Sequence, residues 1–295
     1  AGGVMPNGPP PNRVERARRA QLESPKQLDE IAVNSGAEWT WAGAPQPAPL
    51  QILDEETKRM LDEVRARIMS KFSEIDDAFD RTMGDLARFR EFLLGLANKY
   101  GNAGEDIKAF AMAVEEMVKY VGDVKQWYKD KAYPELMELI NGKGTIRRGK
   151  ASLSIVGDHA TICYTRASTK ILIKGIGGLN IEVPPIISER ARKLLEIGLM
   201  QTDGSIKDNH PQMTTAFLWQ MLLWLMIYPG KQYIVLKDIN VSKKAIRPMW
   251  QLVAHSYKVF EKPQLQLSGQ VNVDDLALAF FAAVLGDGHV RDESD

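Results

Sequence analysis

The apolar residues of this chain change their period near residue 141, and that change restricts it to a fold in which helices and a sheet share one molecule. From Asp54 to Ile140 they recur at three and four: Met60, Val64, Ile68, then Phe72, Ile75, Phe79, then Met83, Leu86, Phe89, Leu93, the spacing of one face of a helix. After Asn141-Gly-Lys-Gly144, β-branched residues begin to alternate with polar ones. Ser152 to Val156, Ala160 to Thr165, Lys170 to Ile173 and Asn180 to Val183 then read as short strands, with turns at Gly157-Asp158 and Gly177-Gly178.

Punctuation places the ends of the elements. Gly101 and Gly104 bracket a break after Tyr100, and two further helices follow, Asp106 to Tyr120 and Val124 to Leu139, the last starting near Gly122 and interrupted at Pro134. Beyond Pro184-Pro185, Ser188 caps a helix running to Gln201. Thr214 or Thr215 caps the next, which is apolar almost all the way round and belongs in the middle of the core; Pro229-Gly230 ends it. Lys231 to Val241 reads as a strand, Trp250 to Phe260 as a helix beginning after Pro248, and Asp274 to Leu285 as the final helix, with Asn272 as its cap. The expected fold class is α+β, mainly α-helical. It comprises a flexible Pro/Gly-rich arm (1–50), a helical module (51–142), a short β meander (143–187) and a mostly helical carboxy-terminal core (188–295).

Composition excludes several functions. Thirty-eight basic residues balance thirty-eight acidic ones, so no global field draws the molecule to nucleic acid or to an anionic membrane, and any such contact must be local. The single cysteine, Cys163, allows neither an internal disulfide nor a cysteine zinc cluster. His159, His210, His255 and His289 show no paired spacing, and no Gly-x-Ser-x-Gly elbow is present. Gly175-Ile-Gly-Gly178 lacks the Lys-Ser/Thr ending of a phosphate loop and precedes a strand. The longest apolar run, Ala216 to Tyr228, is about 13 residues against the roughly 20 that span a bilayer. The chain starts at Ala1 without a basic-then-apolar leader, as expected of a fragment or a proteolytic product.

Local basic clusters remain. Arg13 to Arg19 holds four arginines within the arm, and Arg147, Arg148 and Lys150, with Arg166, Lys170 and Lys174, form the best basic surface of the chain, suited to phosphate.

The segment Lys193 to Ile206, KLLEIGLMQTDGSI, is echoed by Leu278 to Val290, LAFFAAVLGDGHV: in both, an apolar helical run closes on Asp-Gly. The pair resembles the signature helices of LAGLIDADG homing endonucleases, in which two helices pack side by side and the acid at the end of each holds a divalent metal over the DNA cut. By that resemblance Asp203 and Asp287 would be the metal carboxylates, the metal magnesium and the reaction phosphodiester hydrolysis. Against it, the stretch between Gly204 and Thr214 reads as room for one short strand and not for the hairpin such enzymes lay in the DNA groove. The Asp-Gly pairs are also open to a structural account, a left-handed turn after each helix.

Ile246-Arg247-Pro248-Met249-Trp250 and Ala277-Leu278-Ala279-Phe280-Phe281 resemble motifs of the coat proteins of flexuous filamentous plant viruses, where a helix carries an RNA-facing arginine. That likeness implies that Arg247 meets the RNA backbone, that the chain assembles as a homopolymer, and that it resides in a virion or the host cytoplasm. The sequence therefore leads to a non-enzymatic, self-assembling protein that coats or organises nucleic acid, which the coat likeness makes RNA. A LAGLIDADG-type nuclease, or an inactive relative of it, is the alternative.

Overall fold

The computed structural model describes residues 53–101, 104–149, 152–165, 168–242, 245–264 and 272–287; the arm, with Arg13 to Arg19, lies outside the described residues. Helix α1 (Glu55–Met69) starts where Asp54 accepts the Thr57 amide at 2.7 Å, an N-cap that satisfies one orphan donor. Helix α2 (Phe72–Ala97) buries Ile75, Phe79, Leu86 and Leu93, the stripe read from the sequence. Helix α3 runs unbroken over Gly104–Trp127. Gly122 does not start a new helix, because its bare face lies against the Met83 sulfur and packing holds the backbone helical there. The irregularity falls later, in a π turn at Tyr128–Ala132. Pro134 sits in the first turn of α4 (Tyr133–Ile140), where its missing N–H costs nothing, and so opens that helix instead of interrupting one.

Five short strands follow: β1 (Thr145–Gly149), β2 (Ser152–Val156), β3 (Ala160–Tyr164), β4 (Thr169–Ile173) and β5 (Leu179–Val183). The last four are the strands the alternation predicted. The alternation did not predict β1, and Arg147 and Arg148 lie within it. Then come α5 (Glu189–Gln201), β6 (Gly204–Lys207), β7 (His210–Thr215), α6 (Leu218–Ile227), β8 (Gly230–Val241), β9 (Ile246–Ala254) and α7 (Val273–Asp287). Ser188 caps α5 by accepting the Ala191 amide, and Asn272 accepts the Asp274 amide at the start of α7. Neither threonine caps α6. Both end β7, Phe217 holds the cap position, and the Thr215 hydroxyl accepts the Phe217 amide at 2.9 Å.

Two expectations for the carboxy-terminal region are corrected. Ile246–Ala254 is a strand where a helix was expected from Trp250: Ile246, Pro248, Trp250, Leu252 and Ala254 are buried in strict alternation, and Pro248 lies opposite Ile239 without needing an N–H there. The coat-type helix carrying Arg247 is therefore absent. A hairpin also fits between Gly204 and Thr215. Its two-residue turn, Asp208-Asn209, has φ of 52° and 61°, the left-handed pair that tight hairpins need and that Asp and Asn tolerate.

The nine strands of the described residues join one antiparallel sheet in the order β1-β2-β3-β4-β8-β9-β7-β6, with β5 paired to the first half of β8. The helices meet one face. Tyr164 donates to Glu63 of α1, the Tyr120 ring of α3 lies 6.3 Å from Trp250, and the Trp224 indole of α6 donates to Gln232. Ile155, Ile162, Ile171 and Ile239, opposite one another in register, form the floor of that core. The fold is mixed α+β with more helix than strand. No helix of the described residues is long and apolar enough to cross a membrane.

Candidate nucleic-acid interface

Because side chains alternate across a strand, the register that sends the isoleucines to the helices sends the intervening residues to the other face. One row there reads Arg147, Ser154, Cys163, Lys170, Asn240, Arg247, each the register partner of the next, across six strands. Its ends and middle are exposed cations. Five steps of about 4.8 Å make the row roughly 24 Å long. Lys174 lies one residue past β4, where its amide donates to the His159 carbonyl and the alternation that carries Lys170 continues, and it is also exposed. Arg148 takes the alternate position, opposite Leu153. Lys150 and Arg166 lie outside the described residues. Three of the seven residues proposed to touch nucleic acid thus share one row, and a fourth its face.

The other end of the face is basic too. Lys207 is opposite His210, whose ring lies 5.2 Å from that of His255, and the His255 amide donates to Lys231. The sequence held no pairing of these histidines, since 45 residues separate them; strand pairing alone brings them together. Between the two basic ends lie Ser205, Gln212, Thr214 and Gln251, with Gln251 donating to Gln212 at 3.0 Å. Low on the same face, the Oδ1 atoms of Asp238 and Asn240 and the Thr161 hydroxyl are buried without a hydrogen-bond partner. Burial pushes the Asp238 carboxyl above the usual carboxylate range, against the pull of Lys170 and Lys237. Many of the balancing acids lie on the helices, paired within one turn, as in Glu55–Lys58, Asp62–Arg65 and Glu105–Lys108. That is how a neutral chain keeps a basic face.

The echoed helices α5 and α7 pack side by side. A Cβ on Gly198 would fall 2.8 Å from the Ala282 Cβ and closer still to the Ala279 carbonyl, and one on Gly286 would fall 2.7 Å from the Thr202 Cβ. Gly198 and Ala282, like Thr202 and Gly286, hold equivalent places in the two echoes, so the crossing is nearly symmetric. At the opposite ends Arg190 forms a two-pronged ion pair with Asp275, so the helices run parallel and their Asp-Gly ends lie together. Gly204 does not adopt a left-handed conformation; a Cβ there would meet the Met200 Cα at 2.8 Å. Close approach, and not a turn, is what requires that glycine.

Gln220 of α6 joins the two ends. Its amide nitrogen donates to Asp203 Oδ2 and lies 3.4 Å from the carbonyls of Leu285 and Gly286, while its oxygen accepts from Thr215. A carboxylate and two carbonyls are the oxygen donors a hard cation takes, yet an N–H donor stands among them. Among the described residues no group of three His, Cys, Asp or Glu converges for a metal; the Asp287 side chain is not among those described. No family model, curated protein or solved structure matches this chain.

Proposed function

We propose that this protein binds nucleic acid across the open face of its sheet. The observation that carries the reading is the row Arg147–Lys170–Arg247, three exposed cations aligned by register on a face that also presents Ser154, Gln212, Thr214 and Gln251. Guanidinium and ammonium groups so placed meet phosphates, while the glutamines and threonines beside them face base edges. The test is filter binding of a duplex at 50 to 300 mM salt. Each of Arg147→Gln, Lys170→Gln and Arg247→Gln is expected to lower the slope of log affinity against log salt by about 0.9. Unchanged slopes in all three variants would refute the interface.

The second reading is a LAGLIDADG-type endonuclease or an inactive relative. The parallel, nearly symmetric α5/α7 pair favours it, as does the β6–β7 hairpin. Asp203, with Asp287 at the end of the second helix, would hold magnesium, which would polarise the scissile phosphate; Gln220 then positions Asp203. Cleavage that needs magnesium and disappears in Asp203→Asn supports this reading, and binding without cleavage leaves the inactive relative. A coat subunit would instead form rods on RNA visible by electron microscopy and ignore chelators.

A further inference from the structure

Where β7 ends, the chain lays two aromatic rings at the end of the basic row. Thr215 is the register partner of Trp250, so the residues that continue β7 run alongside Pro248 and Arg247. The Phe217 ring accordingly lies under the Arg247 guanidinium, 5.4 Å from centroid to Cζ. The Trp219 ring stacks on Phe217 at 5.8 Å, with 28° between planes.

Phe217 and Trp219 are 44% and 40% exposed, whereas Met221 to Leu225 on the same helix are buried. Exposed apolar residues scattered singly are ordinary. Here two are stacked on each other, capped by a cation, and in line with Lys170 and Arg147. A nucleotide offers the flat face of its base to such rings and its phosphate to the guanidinium, and each stacked base contributes sequence-independent affinity.

We propose that Phe217, Trp219 and Arg247 form a stacking platform for an unpaired base of the strand whose phosphates lie on the basic row. The proposal rests on the nucleic-acid reading above and narrows it. The preferred ligand carries unpaired bases, either as a single strand or as an overhang beside a duplex. Arg247 serves both parts of the site, holding a phosphate and covering the platform. Trp219 serves the platform alone.

Fluorescence anisotropy with three labelled probes of equal length tests it: a single-stranded oligothymidylate, a blunt duplex and an abasic oligomer. Trp219→Ala and Phe217→Ala are each expected to weaken oligothymidylate binding about 5- to 100-fold, the range set by base–aromatic stacking. Binding of the duplex and of the abasic strand by Trp219→Ala stays as in the wild type, and Trp219→Phe recovers most of the loss. Lys170→Gln weakens all three probes. If both alanine variants bind oligothymidylate as the wild type does, or lose affinity equally for the abasic strand, the platform is overturned while the sheet interface stands. If the wild type binds none of the three at low salt, both proposals fall together. Far-ultraviolet circular dichroism of each variant guards against misfolding, and the exposure of both rings makes folding tolerant of their loss.

Discussion

The closeness of α5 and α7 predicts opposite signs for one substitution made at two glycines. Gly95, on an exposed turn of α2, has nothing within 4 Å of where a Cβ would go, so Gly95→Ala should stabilise by about 0.5–1 kcal/mol through helix propensity alone. Gly198→Ala gains the same propensity but drives a methyl to 2.8 Å from the Ala282 Cβ and the Ala283 amide nitrogen and nearer still to the Ala279 carbonyl. Two of those three contacts are backbone atoms, which cannot rotate aside, so the helices must separate. Overpacking of this kind costs about 1–3 kcal/mol. Subtracting a gain of about 1 kcal/mol leaves a net loss of up to about 2 kcal/mol. Urea unfolding followed by circular dichroism measures both variants; the midpoint should rise for Gly95→Ala and fall for Gly198→Ala with little change in slope. A Gly198→Ala protein as stabilised as Gly95→Ala would refute the side-by-side packing, and with it the convergence of the two Asp-Gly ends.

Two further outcomes follow from buried polar groups. Gln220→Ala removes the amide that the Thr215 hydroxyl and the Asp203 carboxylate share, and should cost about 1–3 kcal/mol in the same urea assay, the worth of two hydrogen bonds of which one goes to a charged group; a loss below a few tenths would show that the bridge is idle. Asp238→Asn should change the pH dependence of stability. Burial raises the folded-state pKa of Asp238, so the folded state holds its proton longer than the unfolded chain. Wild-type stability then declines as pH rises from about 4, the free aspartate value, through the raised folded value. The asparagine variant lacks this decline and gains on the wild type over that window; parallel wild-type and variant curves between pH 4 and 7.5 would contradict it.

Much of the local structure was legible because it is written in short-range terms. The three- and four-residue stripe gave α1 and α2, alternation gave β2 to β5, and Ser188 and Asn272 marked the helix starts they do cap. Failures came where local signals compete. Pro248 before an apolar run reads as a helix start, yet the alternate burial of Ile246 to Ala254 against α2, with Trp250 beside Tyr120 of α3, decided for a strand. Gly122 reads as a break, yet contact with Met83 carried the helix through it. The hairpin had a signal in Asp208-Asn209, and its strands are short enough that a count of residues hid it.

The candidate site was legible only as a set of names. Arg147, Lys170 and Arg247 are each visible as basic residues, but nothing nearby in sequence says that Lys170 and Arg247 lie two strands apart in one row. The sequence alone determined the types of most elements, because propensity, period and caps act over a few residues. The tertiary structure decided which of them are neighbours. Burying the isoleucine face of the sheet against the helices fixes its register, and that register turns every intervening cation outward. The same burial of greasy helix faces set α5 against α7 through their glycines and alanines, which is what turned an echo in the sequence into a pair of helix ends in contact.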